Sequence, residues 1–107
     1  MWQYTVQNDQ GGHPRWWLYA SNGKVVAHSG ESFDNTSNAK RAAENFKANA
    51  KLWNYEVYAD SRGNYRWRAK AGNGAIVASS GESFDSKSNA QRAADNVKDN
   101  AGSASGP

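Results

Sequence analysis

Trp2, Tyr4 and Val6 alternate with Gln3, Thr5 and Gln7, and a period of two places the apolar set on one face of a strand. A turn cluster follows at Asp9-Gln10-Gly11-Gly12, where Asp accepts local hydrogen bonds and Gly tolerates positive φ. A second alternating run covers Arg15 to Ala20. Asn22-Gly23 then predicts a two-residue type I′ hairpin loop, because both residues reach left-handed conformations at little cost. A third strand is expected from Val25 to Ser29. Beyond Gly30-Glu31-Ser32-Phe33-Asp34 the apolar period lengthens to about 3.6. Ala39, Ala42, Ala43 and Phe46 fall at i, i+3, i+4 and i+7, one stripe of a helix that should end near Asn49. Asp34 with Asn35 supplies the N-cap candidates. Small Ala residues on that stripe let the helix lie close on a sheet, with Phe46 as the large plug.

The same pattern returns without a gap. Residues 2–50 and 53–101 align at a constant offset of 51, and 28 of the 49 aligned pairs are identical. Trp53, Tyr55 and Val57 repeat the first strand, Asp60-Ser61-Arg62-Gly63 the turn and Arg66 to Ala71 the second strand. Asn73-Gly74 repeats the hairpin and Ile76 to Ser80 the third strand. Gly81 to Asp85 copies Gly30 to Asp34, and Ala90, Ala93, Ala94 and Val97 form the second stripe, on a helix that begins at Asp85 or Ser86 and ends near Asn100. Only Lys51 and Leu52 separate the units. A unit of about 49 residues is near the size at which too little surface is buried for independent stability, so the halves should share a core. The expected class is α+β: two tandem βββα repeats forming one continuous antiparallel sheet of about six strands, with both helices on one face. Residues 1–101 form a single domain in this reading, and Gly102 to Pro107 a flexible tail.

These residues resemble a known family. The second repeat, NYEVYADSRGNYRWRAKAGNGAIVASSGESFDSKSNAQRAADNVKDNA, is similar to the YegP-like bacterial and archaeal family of unknown function. The family pattern runs from a strand to an RWR or RFR strand, an asparagine-glycine turn, a short third strand, an aromatic and a Ser-rich alanine helix. The first repeat carries Arg15-Trp16-Trp17 where Arg66-Trp67-Arg68 has the usual form. The resemblance implies two units assembled into one sheet with terminal strands exchanged between them. Family members often continue past the last helix into another strand, whereas this chain ends in Gly102 to Pro107, which would leave one sheet edge open. The resemblance brings no activity, substrate or catalytic residue with it.

The absence of cysteine removes disulfides, thiolate nucleophiles and cysteine-held metal clusters. Thirteen Lys and Arg against ten Asp and Glu give a net charge of +3, which permits a polyanionic partner without demanding one. No stretch approaches the ~18 apolar residues of a membrane span, and the start has neither a basic end nor an apolar run. The expected location is the cytoplasm, with no membrane contact. Five Trp and five Tyr supply most of the core volume, with some left for exposed stacking.

If Trp16, Leu18 and Ala20, or Trp67, Ala69 and Ala71, point inward, the opposite face carries Arg15, Trp17 and Tyr19 in one half and Arg66, Arg68 and Lys70 in the other. Helices on one face leave this surface uncovered, which makes those six the candidate partner-binding residues. Ordinary cross-strand and cation–π pairs account for them as well, and pairing of Arg15 with Asp9 and of Arg66 with Asp60 is the first expectation for the two repeated arginines. Glu31 with Asp34 and Glu82 with Asp85 suit a helix start, and offer too few oxygens for a divalent metal. Ser29, Ser32, Ser80 and Ser83 lack a repeated base. His13 and His28 face Asn64 and Ser79 across the repeat and form no symmetric metal site. Neither GxxxxGK nor GxGxxG occurs. Catalytic, metal and cofactor residues are therefore expected to be absent, and an enzyme would need a pocket joining Glu31 or Glu82 to a basic residue. The function expected is a small soluble non-catalytic interaction module of unknown partner, a monomer acting as an internal pseudo-dimer. It presents its sheet face or a strand edge to a macromolecule, protein before nucleic acid. The alternative is weak, sequence-tolerant binding of single-stranded nucleic acid on the Arg/Trp/Tyr face.

Overall fold

The computed structural model describes every residue from Met1 to Pro107. The first repeat forms β1 (Gln3–Asn8), β2 (Pro14–Tyr19), β3 (Val25–His28) and α1 (Thr36–Ala48). The second forms β4 (Asn54–Ala59), β5 (Tyr65–Lys70), β6 (Ile76–Ser80) and α2 (Lys87–Asn100), followed by one 3₁₀ turn, Ala101–Ser103. The strands make a single six-stranded antiparallel sheet in the order β1-β2-β3-β6-β5-β4. Each repeat keeps its three strands side by side, and what crosses between the halves is the segment after α2, which returns to β1 of the first repeat. The two halves join where β3 pairs with β6, Ala27 opposite Ser80 and His28 opposite Ser79. An offset of 51 makes His28 and Ser79 equivalents, which puts the pseudo-two-fold axis between them.

Both helices cover the same face. Ala39, Ala43 and Phe46 of α1, and Ala90, Ala94 and Val97 of α2, are buried, as the 3.6-residue stripe requires. Below them lie Tyr4, Trp16, Leu18, Ala27, Trp67, Ala69 and Ala78 in one cluster that runs through both repeats. The large rings fill the space that alanine leaves: Phe46 stacks on Trp16 with centroids 5.0 Å apart and lies parallel to Trp53. Reciprocal bonds tie the halves together, since the Tyr4 hydroxyl donates to the Ala101 carbonyl (2.9 Å) and its equivalent Tyr55 donates to the Ala50 carbonyl (2.6 Å). Neither helix is long and apolar enough to cross a membrane.

Asn35 caps α1 by accepting from the Asn38 N–H, and Ser86 caps α2 by accepting from the Asn89 N–H; Asp34 and Asp85 do not serve. The hairpin after β2 corrects the expected type I′ loop. The Gly23 N–H donates to Ala20 and the Ala20 N–H to Lys24, while Gly23 alone has positive φ (84°). This is a three-residue loop, a type I turn closed by a left-handed glycine. Gly74 closes its copy in the same way.

The tail also departs from expectation. The Ser105 carbonyl accepts from the Tyr4 N–H and the Ser105 N–H donates to Trp2, forming a short parallel bridge on the outer side of β1. Ala104 is buried and Lys47 Nζ donates to the Gly106 carbonyl. Gly102 to Pro107 is thus attached to the first repeat, because burying Ala101 and Ala104 carries the chain across to β1. At the other end of the sheet, β4 has no such cover.

Candidate functional site

The face turned away from the helices is crossed at its centre by one row of side chains. Register places Thr5 beside Trp17, Trp17 beside His28, His28 beside Ser79, Ser79 beside Arg68 and Arg68 beside Glu56. Side-chain alternation puts Arg15 and Tyr19 on the same face of β2, and Arg66 and Lys70 on the same face of β5. All six residues singled out by sequence therefore share this face, and each is partly exposed.

The basic groups are not free point charges. Arg15 Nε donates to Asp9 Oδ2 at 2.9 Å, and Arg66 Nε to Asp60 Oδ2 at 3.3 Å, the expected pairings across the hairpins. Arg68 binds Glu56 at 2.5 Å and also lies over the Tyr58 ring, 4.5 Å from its centroid. Lys70 reaches the same carboxylate at 3.4 Å. Four cations thus meet three carboxylates. The arginine beside Asp9 holds its carboxyl below the ordinary range, helped by the His13 N–H. Arg68 and then Lys70 do the same for Glu56. Desolvation opposes ionisation of Asp60, and the N–H groups of Arg62 and Asn64 together with Arg66 outweigh it.

His28 is a residue that sequence reasoning passed over. It sits on the axis, its ring 5.6 Å from that of Trp17, and Nδ1 accepts from the Gly30 N–H at 3.0 Å. Burial holds it below the usual imidazole range, and the charges of Arg15 and Arg66 add to that against an opposing bond from the Ser80 backbone. Its signal was present in the repeat, because residues that are both equivalents and cross-strand partners must straddle the axis.

The remaining candidates are absorbed by the fold. Ser29 and Ser80 are buried, and their hydroxyls donate to the carbonyls of Glu31 and Glu82, turning the chain out of the sheet. No three His, Asp or Glu side chains converge where they could hold a metal. One depression joins Glu82 to Lys24, between β3, α2 and the Gly81–Phe84 segment, at about 180 Å³. That is small beside the ~300–1,000 Å³ of ordinary ligand pockets, and the two charges form no ion pair. The free edge is the second surface: β4 bonds inward through alternate residues, so the backbone groups of Tyr55, Val57 and Ala59 point outward.

Residues 9–52 and 60–105 each match the sequence family described as Domain of unknown function (DUF1508). Over 44 residues the chain is 50 % identical to UPF0339 protein NMB1088 of Neisseria meningitidis serogroup B, and equally to UPF0339 protein NMA1193/NMA1859 of serogroup A. The match spans 41 % of this chain and 77 % of each relative, so each relative has room for one repeat and not for two. Two solution structures share the fold. UPF0339 protein SO3888 from Shewanella oneidensis has a TM-score of 0.79 at 20 % identity, over 95 % of this chain and 86 % of that one. The protein of unknown function yegP from E. coli has a TM-score of 0.80 at 22 % identity, over 97 % and 89 %.

Proposed function

Because this chain belongs to the family described as Domain of unknown function (DUF1508), with no assigned activity to inherit, we propose its role from its surface: a non-catalytic module, monomeric and cytoplasmic, that docks a protein on the uncovered sheet face. The observation that carries this reading is the pairing of every basic residue in the candidate set. Arg15 and Arg66 are each held through Nε by Asp9 and Asp60, and Arg68 and Lys70 share Glu56. A phosphate backbone would have to compete with those carboxylates, whereas a flat surface of Trp17, Tyr19, His28 and Tyr58 edged by oriented arginines has the composition of a protein interface. The free backbone of β4 offers a second contact by strand addition.

Affinity capture from a lysate, comparing the native chain with one in which Arg15, Trp17, Arg66 and Arg68 are all Ala, tests the face. The expected result is a protein recovered by the native chain and lost by the variant; equal recovery rules the face out. Titration with single-stranded oligonucleotides at two ionic strengths separates the alternative. Binding at low salt that collapses steeply at moderate salt would assign the face to nucleic acid instead.

A further inference from the structure

The two turns that open the second strands are equivalent by sequence offset but differ in chemistry. In the second repeat Asp60, Ser61, Arg62, Asn64, Arg66 and Ser83 line an open depression of about 360 Å³ with no hydrophobic residue among them. Its single acid is fully engaged. Asp60 Oδ1 accepts the N–H groups of Arg62 (2.9 Å) and Asn64 (3.0 Å), and Oδ2 accepts from Arg66 Nε. The Arg62 guanidinium, the terminal nitrogens of Arg66, the Asn64 amide and the hydroxyls of Ser61 and Ser83 have no partner within the protein. With Arg62 and Arg66 against Asp60, the depression carries one net positive charge and five side chains able to donate.

The placement of Ser83 follows from one residue. Tyr65 and Phe84 exchange both backbone hydrogen bonds, at 2.8 and 2.7 Å, which pins the Gly81–Asp85 segment beside the turn. Tyr65 corresponds to Pro14 in the first repeat, and proline has no N–H to give, so there only the Phe33 N–H bonds to Pro14. Ser32 is accordingly exposed where Ser83 is half-buried. The first turn also has Gly11 and His13 in place of Arg62 and Asn64. The molecule thus holds its own unligated control.

We propose that the β4–β5 turn binds a terminal phosphate, the dianion of a phosphate monoester. Arg62 and Arg66 meet its charge and the Ser61, Asn64 and Ser83 side chains donate to its three free oxygens, the charge-assisted arrangement that suits arginine. A phosphodiester presents fewer free oxygens and one charge, so it fits less well.

Amide-resolved NMR titration of the full chain at fixed ionic strength tests this, with inorganic phosphate, O-phosphoserine, a dinucleotide monophosphate diester and chloride as probes. Phosphate and phosphoserine should give saturable shifts confined to residues 60–66 and 81–84, leaving Asp9 to Arg15 unmoved. Arg62→Ala, at an exposed side chain the fold does not use, should weaken that binding roughly tenfold or more, and Ser83→Ala should weaken it less. Equal shifts at both turns, no saturation with either inorganic phosphate or phosphoserine, or equal affinity for the diester would overturn the assignment.

Discussion

At the residue scale the duplicated positions divide into those whose partners are duplicated and those whose partners are not. Phe46 and Val97 are equivalents and both are buried, yet only Phe46 stacks between Trp16 and Trp53, with centroids at 5.0 and 6.5 Å. Phe46→Ala should therefore cost about 3–5 kcal/mol of unfolding free energy in urea denaturation. Val97→Ala removes less surface and should cost clearly less; equal losses would mean that the stack contributes nothing. His28 predicts a pH dependence. Burial, with Arg15 and Arg66, depresses its folded pKa, so below the ordinary value of about 6.5 the unfolded chain binds the proton more readily than the native one. Stability should be full above that pH and fall as the pH drops through it. The depressed Asp9, Glu56 and Asp60 lose their contribution only at lower pH, in the carboxylate range. His28→Ser, which copies Ser79, should abolish the upper part of the acid loss and leave the lower part; an unchanged profile between pH 7.5 and 5.5 would dismiss His28 as its source.

At the scale of elements, one repeated motif is retained for two different reasons. Gly30 has φ of 75°, a conformation that side chains rarely adopt, whereas its copy Gly81 is held at no such angle. A Cβ on Gly81 would instead run into the Val25 carbonyl, because the start of the second Gly-Glu-Ser-Phe-Asp segment presses on β3 across the junction. Gly81→Ala must push backbone aside, and overpacking of this kind costs about 1–3 kcal/mol. Hydrogen exchange should show the loss centred on the Ala27 to Ser80 pairing, while Gly30→Ala should act through backbone strain, with only the Ser79 side chain rather than backbone to displace. Protection unchanged at His28 and Ser79 in the Gly81 variant would refute the clash. These contrasts mark where sequence was legible. Period-two and 3.6-residue patterns gave the strands, helix stripes and buried face correctly, since burial on one side imposes them directly. The left-handed glycine was foreseen, but the loop length was not, because Asn-Gly serves either turn. The candidate face was legible from alternation. The axis, the pairing of Glu56 with Arg68 and Lys70, and the polar depression at Arg62 depend on cross-strand register, which no local window contains.

For the whole molecule the question is whether either half could exist alone. Tyr4 bonds to the end of α2 and Tyr55 to the end of α1, Phe46 packs on Trp53, and the tail after α2 bridges to β1, so each repeat completes the other. The duplicates have also diverged in a compensating way. The first carries Leu18 and Phe46 where the second carries Ala69 and Val97, so one of each fills the shared core, whereas two first repeats would overfill it and two second repeats would leave it short. A pair of first repeats would further set His28 against His28 on the axis, where the native chain sets His28 against Ser79. Fragments 1–51 and 52–107, made separately, should each lack a cooperative unfolding transition at concentrations where the intact chain shows one. An equimolar mixture should recover β-sheet circular dichroism and a single transition, by Trp fluorescence and ellipticity alike. A fragment that unfolds cooperatively by itself, or a mixture no more structured than its parts, would show that the shared core is not what holds the fold.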